Sequence, residues 1–476
     1  MSTSQWLPIR DIAAKVNGGE LKAVDLVERA LSTIAEKEEF AAILATTEVR
    51  ARARAQEIDA RVSRGEHAGS LAGVPFIAKD NFLVFGAETT AASNILKGFD
   101  APYQSTAIEK LEAAGAICVA KANLDAFAHG SSTENSDFMV TKNPHDITRV
   151  PGGSSGGSAA AVILDMAPFA LGTDTGGSIR LPASFCGAVG YKPTYGLVSR
   201  SGVVAMASST DVIGPMTRTV DDAAVVLNVM AGRDPLDSTT IDREDDDYTS
   251  FSGDLKGKKV GVIKEYMAEG LSTGVREQIE SAIEKMRTAG AEIIEVSLPT
   301  LPAALAVYYI ICPAEVSSNL SRYDGQKYGY TYDQAADLAE SYSKTRSTGF
   351  GKEAKRRIII GTYVLSSGYY DAYYKKAQTV RTKLIAEFAA AFEQVDFLVG
   401  PTAPTPAFKI GEHSSDPLQM YLTDIMTVAV NLVGVPAISI PAGTSEGLPV
   451  GLQIIAAQRQ DKDLLATAKA AEGLLA

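Results

Sequence analysis

The chain has 476 residues, 46% of them apolar, and a formal net charge of -12. It is long enough to bury a large core, and its overall field excludes binding nucleic acid or an anionic membrane except through a local patch or a second subunit. Cys118, Cys186 and Cys312 sit among small or apolar neighbours without CxxC spacing, so they read as reduced core residues of a cytosolic protein. No basic segment followed by an apolar stretch opens the chain, so no secretory signal is expected.

Residues 1–70 carry helical periodicity in LKAVDLVERALSTIAEKEEF and EVRARARAQEIDARVSRG, which predicts two surface helices. At LAGVPFIAKDNF the pattern changes to a short apolar run, a buried strand that ends on Lys79, Asp80 and Asn81. STAIEKLEAAGAICVAKANL then reads as helix, glycine stop and strand, the alternation of an α/β layered fold. Residues 150–193 are dense in glycine but hold apolar runs between the Gly-Ser loops, so they predict a folded site rather than a linker. Residues 233–257 turn polar and acidic and predict a long surface connection. KKVGVI, VREQIESAIEKMRTAG and AEIIEVSLP resume the strand and helix pattern, and FLVGPTAP and VPAISIPAGTSEGLPVGLQIIA close it with strands. The expectation is an α/β fold with a large mixed sheet covered by helices on both faces. We expect one domain over 1–476, with a helical N-terminal region at 1–70, a catalytic core at 71–232 and a substrate-binding half at 258–476.

A hydrolase usually draws its base from histidine, whose pKa lies near neutrality. There are four here, His67, His129, His145 and His413; none has metal-ligand spacing, and no cysteine lies close enough in sequence to complete a zinc set. Attention therefore moves to GVPFIAKDN, ending on Lys79, to PGGSSGGSAAA at 151–161, and to LGTDTGGSIRLPASFCG at 171–187. Glycine at this density permits close backbone approach and lets N–H groups aim at an oxyanion. Three other readings compete. A phosphate cradle at GGSSGGS lacks the P-loop lysine. A nucleophile elbow at Gly152 to Gly156 would leave His413, in the polar segment KIGEHSSDP, as the base. A thiol mechanism through Cys186 is disfavoured by its apolar setting.

Taken together, the lysine strand, GGSSGGS and GGSIR, with Ser154 and Ser178 24 residues apart, resemble the amidase signature family. That resemblance implies Ser178 as acyl-forming nucleophile, Ser154 on a cis peptide as relay, Lys79 as base and Ser155 as support. It also implies an oxyanion hole from the backbone N–H groups of Thr175, Gly176 and Gly177. Lys79 must then be neutral, although a free lysine titrates near 10.4, so it must be buried. The segments GSSTENSDF, KTRSTGFGKEAKRRIIIGTYVLSSGYYDAYYKKA and VGPTAPTPAF extend the likeness to the A-subunit branch of the tRNA-dependent amidotransferases. Membership there implies a glutaminase that feeds ammonia to a B subunit, where Glu-tRNA(Gln) or Asp-tRNA(Asn) is amidated with ATP and Mg, while a C subunit clamps the heterotrimer. It implies no cofactor or metal on this chain, and tRNA contact mainly through B.

Glutamine is a zwitterion, so its pocket should offer a cation and an anion. The resemblance implies Arg357 and Asp424 for these, with Tyr308, Gly130 and Ser131 at the pocket and Arg356 and Tyr309 as adjacent alternatives. Two positions depart from the family's common residues: His129, where methionine is usual, and Leu181, where glutamine is usual. The basic segment from Lys344 to Arg357 reads as a solvated helix end. A free-standing amidase and a non-catalytic scaffold are the alternative functions.

Overall fold

The computed structural model describes residues 5–245, 247–251 and 253–475. Among them eleven strands form one sheet. In chain order these are β1 (Ile43–Thr46), β2 (Pro75–Lys79), β3 (Ile117–Ala122), β4 (Phe169–Asp174), β5 (Val189–Lys192) and β6 (Val212–Thr217). They continue as β7 (Lys259–Ile263), β8 (Glu292–Val296), β9 (Phe397–Pro401), β10 (Ala437–Ser445) and β11 (Leu448–Ala456). Across the sheet the order is β1-β3-β2-β4-β6-β5-β10-β11-β9-β7-β8. β3, β2 and β4 run parallel, as do β9, β7 and β8, while the middle of the sheet is antiparallel and contains the β10–β11 hairpin. The expected mixed α/β sheet is therefore present.

The strands are apolar on both faces because helices cover both sides, so β2, β3, β4, β6, β9 and β11 are buried along their whole length. Phe76 of β2 lies opposite Phe169 of β4, and their rings stack at 5.2 Å. This pairing brings the carboxyl ends of two parallel strands side by side, the usual place for a site in an open α/β sheet. Lys79 ends β2, and Thr173 and Asp174 end β4.

The N-terminal region holds more than the two predicted helices. Ile9–Asn17 forms an additional helix before Ala23–Glu36 and Glu48–Ser63, and β1 joins the sheet edge antiparallel to β3. Both extra elements are short, and ILAT lacks the alternation that marks a strand, so edge pairing rather than pattern forms β1. The connection at 233–257 has no helix or strand among its described residues, as expected, but it is anchored: Tyr248 is buried and Arg243 lies over its ring. The helical stretch Leu301–Arg322 is long and apolar enough to cross a membrane, yet half of its most apolar part is buried in the fold, and its inner face carries Tyr308.

Candidate active site

Strand alternation sends Lys79 and Asp80 to opposite faces of the sheet. Asp80 pairs with buried Lys121 at 2.6 Å, so it does not pair with Lys79. Lys79 is fully buried, and its Nζ lies 2.7 Å from Ser154 Oγ, 2.9 Å from Ser155 Oγ and 2.9 Å from Thr173 Oγ1. Burial brings its pKa down to about 7, against the weaker opposite pull of Asp125, Asp174 and Asp211. That is the burial the sequence demanded of a lysine base.

The side chains around Nζ are themselves hydrogen-bonded. The Ser155 hydroxyl donates to the Thr173 carbonyl at 3.2 Å, so Ser155 Oγ is left to accept from Lys79. Thr173 Oγ1 accepts from Asn81 Nδ2 and from Lys79. A neutral amine has two N–H groups and one lone pair. The ammonium form donates to Ser154 at 2.7 Å, whereas the neutral amine, with its two N–H groups on Ser155 and Thr173, has a lone pair free to accept the Ser154 proton.

Ser154 follows a cis peptide bond after Gly153. Ser178 sits between β4 and the helix Arg180–Cys186 and is 8% exposed, the most open of the three. Its carbonyl accepts from the Ser155 N–H at 3.2 Å, which ties the two loops together. Its hydroxyl makes no hydrogen bond among the described residues, so the Lys79–Ser154 contact is in place while the link onward to Ser178 Oγ is not closed.

The loop that carries Ser178 is organised from below by Asp174. Its Oδ1 accepts from the Gly177 N–H at 2.8 Å and its Oδ2 from the Ile179 N–H at 3.2 Å. The carboxylate is in turn held by Arg180, buried like itself, at 2.9 Å, which keeps it ionised far below the usual carboxylate range despite burial. This corrects the expected oxyanion hole. Gly177 is not a free donor, because the acidic side chain that shapes the turn takes its N–H. The Thr175 and Gly176 N–H groups have no partner among the described residues. Gly177 has φ of 138°, and a Cβ there would collide with the Thr427 hydroxyl, so the turn requires glycine. Thr175 Oγ1 donates to Asp211 at 2.7 Å, so that side chain is turned away from the loop.

The expected pocket residues come together from four segments. Ser131 Oγ donates to Asp424 Oδ1 at 2.8 Å, and the Tyr309 hydroxyl donates to Asp424 Oδ2 at 3.0 Å. Arg357 is 2% exposed, which overturns the solvated reading of that end of the basic segment. Its Nε donates to Glu353 at 2.9 Å, and its guanidinium lies over the rings of Tyr309 and Tyr421, which stack on each other at 4.0 Å. Arg356, the adjacent alternative, is half-exposed and pairs with Glu353 from outside. Tyr308 presses its ring onto Gly176, two residues before Ser178, whereas Tyr309 provides the hydroxyl that meets Asp424. Burial pushes the Asp424 carboxyl up to about 7, opposed by Ser131, Tyr309 and Arg357. His129, Gly130, Ser131, Glu353, Arg357 and Tyr421 line a cavity of about 240 Å³, the size of one amino acid.

Sequence reasoning missed Asp174, Arg180, Glu353 and Tyr421. For the first two a signal existed, an acid and a base bracketing the glycines of TDTGGSIR, and Glu353 stands one helical turn before Arg357 in KEAKRR; Tyr421 joins only through folding. Leu181 faces away from the site, packed with Val150, Phe185 and Phe408. His413 rests against Phe408 at 4.4 Å in a turn, while Ser154 is already bound to Lys79, which removes the nucleophile-elbow arrangement. Cys186 is fully buried with its thiol pushed far up by desolvation, which leaves it inert. No group of three or more metal-ligating side chains occurs among the described residues.

A buried near-neutral lysine joined to a serine, beside a second, slightly exposed serine and free backbone donors, is equipped for acyl transfer from an amide. Residues 25–465 match the Amidase family, and the chain belongs to the amidase signature family of amide hydrolases. Within it, the chain is 55% identical over 438 residues to the A subunit of glutamyl-tRNA(Gln) amidotransferase from Geobacillus thermodenitrificans, covering 92% of this chain and 90% of that one. It is 53% identical over 468 residues to the protein of the same name from Thermoanaerobacter pseudethanolicus, covering 98% and 96%. The crystal structure of the corresponding A subunit of glutamyl-tRNA(Gln) amidotransferase from Thermotoga maritima superposes with a TM-score of 0.79 at 41% identity, covering 98% and 95%.

Proposed function

We propose that the protein is the glutamine-hydrolysing A subunit of a tRNA-dependent amidotransferase, acting through Ser178, Ser154 and Lys79. The observation that carries the reading is the pairing of Lys79 with Ser154, together with an amino-acid-sized cavity lined by Arg357 and by Ser131, whose hydroxyl bonds Asp424. The names of the relatives support the glutamyl-tRNA(Gln) branch over a free-standing amidase.

In this reading the neutral Lys79 amine takes the Ser154 proton as Ser154 takes that of Ser178. Ser178 Oγ attacks the side-chain amide carbon of glutamine, and the developing oxyanion is met by the Thr175 and Gly176 N–H groups. The proton returns through Ser154 to the leaving nitrogen, and ammonia departs. Water then attacks the γ-glutamyl ester by the same proton path, releasing glutamate. Arg357 holds the α-carboxylate, while Asp424, oriented by Ser131 and Tyr309, holds the α-ammonium. Gly130 forms the wall beside Ser131. Ammonia passes to a B subunit that uses ATP and Mg to amidate Glu-tRNA(Gln) or Asp-tRNA(Asn), and a C subunit completes a cytoplasmic heterotrimer. The acidic charge of this chain accords with tRNA being bound by B.

The direct test is ammonia release from glutamine by the full-length chain, alone and with B and C subunits, alongside simple amides as substrates. Hydrolysis of simple amides with no turnover of glutamine in either setting makes the protein a free-standing amidase. Covalent capture of Ser178 by a γ-glutamyl hydroxamate excludes the scaffold alternative.

Two predictions concern the pocket and the base. Asp424→Asn keeps the shape and removes the anion that meets the ammonium, so KM for glutamine rises about 10- to 100-fold while kcat stays within a few fold. A normal KM in steady-state assays would remove Asp424 from the pocket. The pH profile follows from the sign of two shifts. Lys79 works only when deprotonated, so kcat falls as pH drops through about 7. Asp424 must be ionised to bind, and its pKa also lies at about 7, so kcat/KM falls more steeply than kcat below that point. A kcat that stays flat from pH 5 to pH 9 contradicts a lysine base.

A further inference from the structure

His129 is fully buried, and neither ring nitrogen has a hydrogen-bond partner among the described residues. Leaving two polar atoms of one side chain unpaired inside a protein is unfavourable, and such exceptions ask for a missing partner. The residue is nevertheless held firmly. Asn135 donates to its backbone carbonyl at 2.8 Å, and it follows Phe127 and Ala128, two non-glycine residues at φ of 54° and 64°. Consecutive left-handed residues are uncommon and persist where surrounding structure imposes them, often around a ligand. The Phe127 ring, 6.3 Å away, supplies an apolar wall, and His129 itself lines the 240 Å³ cavity with Arg357.

Burial and the nearby guanidinium of Arg357 both disfavour the imidazolium, so the ring is a neutral donor and acceptor throughout the working pH range. A neutral N–H beside a fixed cation is suited to an anionic group of the ligand, because it adds a hydrogen bond without a second buried charge. The α-ammonium on the same carbon already has its oxygens, at Asp424 and Ser131.

We propose that His129 is a specificity-determining residue that donates a hydrogen bond to the α-carboxylate of the bound amino acid, beside Arg357. This rests on the glutaminase reading and adds to it the group that would make the pocket prefer an amino acid over a simple primary amide.

The test compares L-glutamine with 4-aminobutanamide, which keeps the amide and the amine but lacks the carboxylate, in the full-length enzyme with its partner subunits. His129→Met, an apolar side chain of similar length, lowers kcat/KM for glutamine about tenfold through KM and leaves that for 4-aminobutanamide unchanged. His129→Gln, which retains a donor and an acceptor, recovers a large part of the loss and serves as the control for folding. An equal loss on both substrates overturns the proposal, because the residue would then shape the pocket without touching the carboxylate. An unchanged kcat/KM for glutamine in His129→Met overturns it as well. If wild-type enzyme releases no ammonia from glutamine, the glutaminase reading fails and this proposal with it, a result distinct from an unaltered variant of an active wild type.

Discussion

Replacing Ser178 by alanine abolishes amide hydrolysis, with a loss on the order of 10⁵- to 10⁶-fold, the scale reached when the nucleophile of an acyl-transfer enzyme is deleted. Lys79→Met causes a loss of similar order, because without the amine nothing takes the Ser154 proton. The double variant is little worse than either single one, since the three side chains act as a unit and their contributions do not add. Lys79→Met should also fold well. The wild-type amine is buried at the expense of its charged form, and an apolar chain of similar length removes that penalty while leaving the Ser155 to Thr173 bond intact. Ammonia release and thermal melting of the three variants, measured in parallel, separate chemistry from folding. Turnover by Ser178→Ala near the wild-type rate would exclude the mechanism, whatever the fold does.

Arg180→Met destabilises the protein by about 3 to 5 kcal/mol, the usual consequence of removing one partner of a buried ion pair. Arg180 is wholly enclosed and binds Asp174, the Asn431 side chain at 2.6 Å, the Gln453 side chain at 2.5 Å and the Thr427 carbonyl at 3.2 Å. Methionine leaves the Asp174 carboxylate charged and buried without its cation. The same carboxylate holds the Gly177 and Ile179 N–H groups on either side of Ser178, so activity falls together with stability. Adding Asp174→Asn to Arg180→Met recovers part of the stability by removing the orphaned charge, without restoring the turn. Urea denaturation curves measure both effects. A midpoint for Arg180→Met equal to the wild type would show that Asn431 and the backbone donors carry Asp174 unaided. The sign with pH follows from the depressed pKa. The pair contributes fully above the ordinary aspartate range, and its contribution is lost only as strong acid protonates Asp174.

The mixed α/β sheet was legible because most strands bear a local mark. PFIAK, KVGVI, FLVGP and the β10–β11 hairpin are apolar runs bounded by Gly, Pro or polar residues, and they form where such runs should. β1 was not legible, because ILAT becomes a strand only by pairing with β3, a contact about 75 residues away that leaves no periodic trace.

The lysine and the two serines stand on the same footing as the strands. Their residue types, the scarcity of histidine and the 24-residue spacing are properties of the linear chain, and it was through the resemblance to the amidase signature family that they named Lys79, Ser154 and Ser178. What only the tertiary structure decided is whether those groups have the right chemistry. A lysine becomes a base through desolvation, and desolvation is set by everything packed around Nζ, here side chains 75 to 94 positions away. An N–H becomes an oxyanion donor only if nothing else claims it, and Asp174 claims that of Gly177. The pocket is decided in the same way. Arg357 and Asp424 were named through the resemblance, and Glu353 stands one turn from Arg357 on the same helix, but Tyr309 and Tyr421 join them from two other segments, because hydrogen bonding and ring stacking depend on distance in space rather than along the chain.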